Sequence, residues 1–186
     1  MPPEPEAAAA RPFRLCPFPG EAPPGALHLE GQLTRQGPHL EVRYRLGGPL
    51  AELEIPPEAA APQRRDGLWR GTCLECFLAR PADPAYWEVN LSPAGHWNVY
   101  RLDGYRQGLA PEAACARPQM RLRRQPARLE VQVQLILPPP LAGAPELEVG
   151  VTAVIATRAG GLSHWALHHP GPEPDFHRRE AFALRL

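Results

Sequence analysis

Apolar and polar residues alternate along several short stretches of the chain, and proline and glycine separate those stretches. From His39 to Leu46, one side carries Leu40, Val42, Tyr44 and Leu46, and the other carries Glu41, Arg43 and Arg45. From Arg128 to Leu137 the pattern repeats, with Leu129, Val131, Val133, Leu135 and Leu137 set against Glu130, Gln132 and Gln134. A period of two is the mark of a strand with one buried face. Residues 147–157 (LEVGVTAVIAT) are β-branched and almost uniformly apolar, which predicts a central strand buried on both faces. Further strands are predicted at 25–34, 50–55, 72–79, 85–91, 96–102, 119–124, 163–168 and 181–185. The alanine runs near positions 8 and 59 are short and flanked by prolines, so no helix is predicted. About ten short strands with this punctuation read as an all-β fold, an antiparallel, jelly-roll-like β-sandwich.

Proline accounts for 26 of the 186 residues and is clustered at 2–24, 56–62, 138–145 and 170–174. Its missing N–H keeps it out of sheet interiors, so these clusters mark connections. Residues 1–12 are expected to form a disordered tail and 13–186 a single domain. Residues 56–67 read as a long loop, a class of segment that often carries function.

The stretch YWEVNLSPAGHWNVY, residues 86–100, reads as a hairpin. Ser92-Pro93-Ala94-Gly95 has the residues of a type I turn, with glycine at the left-handed position of a three-residue loop. That register sets Ser92 opposite His96, Asn90 opposite Asn98, and Glu88 opposite Tyr100. It sends Trp87, Val89, Leu91, Trp97 and Val99 to one side, predicted as core. Tyr86, Glu88, Asn90, His96, Asn98 and Tyr100 go to the other side. A shift of one residue would mix the two sets. The polar-aromatic side is either an ordinary solvent-facing sheet surface or a ligand-facing one.

Net charge is zero, and all twenty basic residues are arginine. Without lysine, a Schiff-base lysine and a Walker-type phosphate loop are excluded, and the charge balance speaks against a nucleic-acid partner. The grouped arginines Arg64-Arg65, Arg121 to Arg124 and Arg178-Arg179 read as solvated strand edges. No apolar run is long enough for a membrane span, so no membrane partner is expected. The N-terminal MPPEPEAAAARP has no basic start followed by an apolar segment, so a cytoplasmic location with reduced thiols is the expectation.

Four cysteines are too few for a disulfide scaffold. Cys73-Leu74-Glu75-Cys76 matches a CxxC pattern. Residues three apart in a strand point to opposite faces, so the two sulfurs are read as independent small apolar groups. Four of the seven histidines, His164, His168, His169 and His177, fall near the C-terminus without metal-ligand spacing. No nucleophile motif stands out, so no catalytic residue, metal or enzyme activity is assigned.

Three stretches together resemble one family: LWRGTCLECF (68–77), YWEVNLSPAGHWNVYRLDGYRQG (86–108) and HWALHHPGPEPDFHRREAF (164–182). They are similar to bacterial DOMON-like proteins, relatives of family 9 carbohydrate-binding modules. Those proteins share a tryptophan ahead of Cys-x-Glu-x-Phe, then Tyr-Trp-Glu-x-Asn-Leu-Ser-Pro-x-Gly-x-Trp-Asn-Val-Tyr and Tyr-Arg-x-Gly. Trp-x-Leu-x-His and Pro-Asp-Phe-His-x-Arg follow. The resemblance implies a β-sandwich that holds a ligand on a concave sheet face. In sugar-binding relatives two tryptophans clamp a sugar ring, and here Trp69 and Trp165 are the matching candidates. With the hairpin's Tyr86, Glu88, Asn90, Asn98 and Tyr100, the motifs add Glu75, Arg106, His169, Asp175 and His177 to the ligand-binding set. Sugars offer C–H faces for stacking and hydroxyls that need donors and acceptors, which these residues supply. The function implied is a non-enzymatic module for a saccharide or similar small polar ligand, needing no cofactor. The alternative is haem binding for electron transfer or sensing, with His169 as an axial ligand and Met120 as the one internal methionine.

Overall fold

The structure, a computed structural model, describes residues 9–186. Twelve strands run in chain order: β1 (Arg11–Pro17), β2 (His28–Gln36), β3 (His39–Gly47), β4 (Cys73–Ala79), β5 (Tyr86–Leu91), β6 (Trp97–Leu102), β7 (Ala110–Pro111), β8 (Gln119–Gln125), β9 (Arg128–Ile136), β10 (Glu148–Ala156), β11 (Leu162–Ala166) and β12 (Leu184–Arg185). Helical structure among the described residues is limited to three short 3₁₀ turns and one four-residue α turn, Pro139–Ala142. Every strand pair is antiparallel.

The strands form two layers. Sheet A has the order β1-β2-β3-β9-β8, and sheet B the order β7-β6-β5-β4-β10-β11, with β12 against one end of β10. Strand β1 belongs to both layers: Arg11 to Leu15 pair with β2, and Cys16 and Pro17 pair with β11. The ladder therefore continues around one side of the sandwich, and β7 and β8 are left as edges.

One apolar cluster fills the space between the layers. Sheet A contributes Leu29, Leu33, Leu40, Val42, Tyr44, Leu46, Leu129, Val131 and Val133, and sheet B answers with Leu74, Cys76, Leu78, Trp87, Val89, Leu91, Val99, Val149 and Val151. Each such side chain contributes about 1.5–3 kcal/mol when fully buried, which makes this layer the main source of stability. Tyr44 reaches across it to donate its hydroxyl proton to the backbone carbonyl of Glu75, 2.8 Å away, tying β3 to β4.

The alternation in β3 and β9, the apolar β10 and the hairpin register all hold. Ser92 N–H bonds the His96 carbonyl at 2.9 Å, Asn90 pairs with Asn98 and Glu88 with Tyr100, and Gly95 adopts a φ of 88°. Cys73 and Cys76 are both buried on opposite faces of β4, and Cys76 joins the central cluster.

Three expectations change. Residues 1–8 of the expected tail lie outside the described residues, but β1 starts at Arg11, inside it. Phe13 and Leu15 anchor that strand in the core, and Pro12 is tolerated because this part of β1 has a partner strand on one side only. The predicted strand at 50–55 is a 3₁₀ turn, Leu50–Glu52, followed by a single bridge from Leu53 to Thr157, because Pro49 and Pro56 leave too short a run for a ladder. At 181–185 only Leu184–Arg185 is strand, since the preceding residues turn back over sheet B.

The arginine groups are also not simply solvated. Arg64 donates to the carbonyls of Glu112 and Cys115, Arg124 to those of Pro56 and Pro93, and Arg179 to those of Arg80 and Asp83. A guanidinium has five donors and no acceptor, so it can satisfy loop carbonyls that have no ladder partner.

Candidate functional site

The register places two cross-strand rows on the outer face of sheet B. Thr152, Glu75, Asn90 and Asn98 form one row across β10, β4, β5 and β6, and Gly150, Phe77, Glu88 and Tyr100 form the next. A two-residue period puts these side chains away from the central core. They are not solvated, however. Glu75 is 2% exposed, Glu88 4% and Asn90 0%, and Tyr86, Asn98 and Tyr100 are equally buried.

Three connections make this cover. The 56–67 loop runs alongside β6, exchanging backbone hydrogen bonds with Trp97. Asp66 in that loop accepts from Asn98 Nδ2 at 2.9 Å and from the Tyr100 hydroxyl at 2.8 Å. The 3₁₀ turn that follows, Leu68–Arg70, lays Trp69 edge-on against Tyr100, with ring centroids 5.8 Å apart. The C-terminal segment brings Phe176, His177, Ala181 and Phe182 over the sheet in a second, smaller apolar cluster with Phe77, Tyr86 and Tyr100. Gly150 sits under Phe182: a Cβ there would lie 3.0 Å from the Phe182 ring, so glycine in mid-strand makes this contact possible.

Between cover and sheet is a cavity of about 360 Å³. Glu75 and Glu88 are on its floor, with Phe77, Val154 and Leu102; Trp69, His164, Phe176, His177, Arg106 and Leu109 make the walls and rim. Its volume is at the small end of the range for ligand pockets, suited to a ring-sized molecule.

The floor is rich in acceptors. Glu75 Oε2 accepts from Thr152 Oγ1 at 3.2 Å, and Glu88 Oε1 accepts from Asn90 Nδ2 at 2.8 Å. Glu75 Oε1, Glu88 Oε2 and Asn90 Oδ1 are buried and have no hydrogen-bond partner among the described residues. Unpaired buried acceptors cost free energy, about 1–3 kcal/mol each, and their persistence calls for a reason. Desolvation, then the charge of Glu88, pushes the Glu75 carboxyl up to about 8; desolvation also raises Glu88. Glu75 therefore holds its proton at neutral pH.

One wall is a hydrogen-bonded chain. The Tyr86 hydroxyl accepts from the Arg106 backbone N–H at 3.2 Å and lies 2.7 Å from His177 Nδ1. Burial, then the nearby Arg106 charge, lowers His177 to about 4, so its ring is neutral. With its oxygen already accepting, Tyr86 donates to Nδ1, which leaves the His177 proton on Nε2, 4.0 Å from Glu88 Oε2. Asp175 supports this wall from behind, accepting from Arg106 Nη2 at 2.9 Å, Tyr105 Oη at 2.5 Å and His177 N at 3.1 Å. It contacts the backbone of His177, so the two side chains do not form a carboxylate–imidazole pair.

Of the residues expected at a ligand site, the structure gathers Trp69, Glu75, Glu88, Arg106 and His177 at the cavity, with Tyr86, Asn90 and Asp175 directly supporting them. Asn98 and Tyr100 instead hold the Asp66 loop. Trp165 is corrected outright. It pairs with Ala153, lies 2% exposed in the central cluster, and its indole N–H bonds Ser163 Oγ at 2.9 Å. Alternation along β11 turns the neighbouring His164 to the cavity, so the sequence reading missed that residue by one position. His169 is also removed. Its Nε2 lies 2.9 Å from the Cys16 carbonyl oxygen and its ring packs on Phe18. Phe176 was missed as well, although it lies inside the Pro-Asp-Phe-His stretch.

The residues named for haem do not fit one. His169 is occupied at the β1 end, and Met120 packs against the core from β8 in sheet A, so neither lines the cavity. Among the described residues no group of three or more His, Cys, Asp or Glu has the geometry to hold a metal ion.

No family model matches the sequence, and no curated protein matches it significantly. Solved structures do match in fold. A candidate carbohydrate-binding protein from Bacteroides uniformis superposes with a TM-score of 0.63 at 11% identity, covering 94% of this chain and 84% of its own. A family 9 carbohydrate-binding module from Caldicellulosiruptor kristjanssonii gives 0.48 at 14% identity in complexes with glucose and with cellotriose, covering 81% of this chain and 72% or 70% of its own. At that identity, what the chain shares with the Bacteroides protein is its fold.

Proposed function

We propose that this chain is a non-enzymatic binding module that takes a small hydroxyl-rich ligand, a saccharide by its chemistry, into the cavity on the outer face of sheet B. The observation that carries the reading is the set of buried carboxyl oxygens on Glu75 and Glu88 that have no partner among the described residues, in a cavity that the half-buried Trp69 also lines. A sugar hydroxyl donates to such an oxygen while the C–H face of the ring packs on indole. The motif resemblance to DOMON-like proteins and the fold shared with a candidate carbohydrate-binding protein support the same reading. We place the module in the cytoplasm, which its four free cysteines, three of them buried, favour.

Isothermal titration against a panel of monosaccharides, disaccharides and nucleotide sugars tests this. At least one sugar is expected to bind, and Trp69→Ala to weaken it about tenfold or more, the scale of losing one stacked aromatic and its buried area. Failure of the wild-type protein to bind any of the panel would overturn the proposal.

A further inference from the structure

Donors and acceptors on the cavity floor are out of balance. Among the described residues, the floor donors Thr152 Oγ1 and Asn90 Nδ2 are engaged within the protein, while His177 Nε2 on the wall is not. Thr152 donates to Glu75, Asn90 to Glu88, and Arg106 to Asp175. Tyr86 is bonded to His177, and the His164 ring to Glu21 Oε1 at 2.7 Å. Glu75 Oε1, Glu88 Oε2 and Asn90 Oδ1 are left without a partner among the described residues, and two of the three belong to carboxyl groups. A neutral sugar hydroxyl offers one donor and seeks donors in return, so it corrects this imbalance only in part. A primary ammonium offers three N–H donors, accepts nothing, and brings the charge that two adjacent carboxyls lack. The aromatic edges and faces of Trp69, Phe77 and Phe176 around the same space also suit a cation.

Resting on the binding-module reading, we infer that the ligand carries a primary amine, an amino sugar in particular, and that its ammonium docks on Glu75 and Glu88. The groups that set the charge there are Cys73 and Thr152 beside Glu75, and Asn90, His177 and Arg106 beside Glu88, with Asp175 neutralising Arg106 from behind. Because Glu75 carries a proton in the free protein, an ammonium that settles beside it displaces that proton to solvent.

The test compares glucosamine, glucose and N-acetylglucosamine by isothermal titration at about pH 6.5, well above the ordinary glutamate range. Glucosamine is expected to bind about tenfold tighter than the other two, the worth of one charge-assisted hydrogen bond. Its binding enthalpy should vary with the ionisation enthalpy of the buffer, reporting net proton release, while that of glucose should not. Glu88→Gln, near-isosteric and checked for folding by circular dichroism, should reduce the preference to about threefold or less. Equal affinity for glucose and glucosamine, or tight glucosamine binding without proton release, overturns the amine inference and leaves the saccharide module standing. No binding of any sugar overturns both.

Discussion

On the outer face of sheet A, Arg43, Gln132 and Arg121 lie side by side across three strands and reach solvent. On the outer face of sheet B, Thr152, Glu75, Asn90 and Asn98 lie side by side across four strands and do not. Both rows are polar, and both back onto the same apolar layer. The difference comes from what lies above them. Among the described residues, no segment folds back over the first row, whereas the 56–70 connection and the C-terminal 174–182 segment fold back over the second. Polar groups in water cost nothing to leave unpaired, but under cover each unpaired acceptor is a standing penalty. A row that keeps that penalty is a better candidate for function than one that avoids it.

Removing the cover tests the contrast most severely. Phe182→Ala takes out a buried ring that rests on Gly150 and Phe77, and an expected loss of about 3 kcal/mol should appear in urea unfolding. A loss near zero would mean the segment is not packed as described and the two outer faces are alike.

Titration should give the next largest effect. The folded chain keeps a proton on Glu75 up to about 8, whereas the unfolded chain loses it in the ordinary glutamate range, so this group lowers stability as pH rises between those values. His177 acts in the opposite sense: lowered to about 4 by burial first, it leaves the folded chain without a proton that the unfolded chain holds, so stability rises with pH until about 6.5. Above that point the Glu75 effect is no longer opposed by His177. The melting temperature should therefore fall from about pH 6.5 to 8, by roughly 2–4 °C per kcal/mol for a chain of this size, and Glu75→Gln should flatten the fall. A flat wild-type profile in that window would show that Glu75 is not held neutral.

The smallest effect belongs to the open face. Gln132→Ala should change stability by less than about 0.5 kcal/mol, as surface substitutions do. A larger loss would reveal a structural role for sheet A's outer row.

Particular residues show how far the sequence could be read. The clean alternation in β3 and β9 identified one-faced strands, and the Ser92–Gly95 turn set the register that separates Trp87 from Glu88. Trp165 and His164 differ by one position on β11, and choosing the cavity-facing one needs a strand phase that SHWAL, with few alternations, does not display. Burial of Glu75 and Glu88 was not legible either. Their strands look one-faced to a period-two reading, because what buries the second face comes from residues 63–70 and 174–182, distant in the chain.

By itself, then, the sequence determined the all-β class, the hairpin and its two-sided sorting, because turn chemistry and period-two patterning act between near neighbours. Only the tertiary structure decided that the polar side is roofed, that Trp69 lines the cavity while Trp165 lies in the core, and that two carboxyls sit on the cavity floor. Those outcomes depend on which distant loop covers which sheet, and a local pattern holds no information about that.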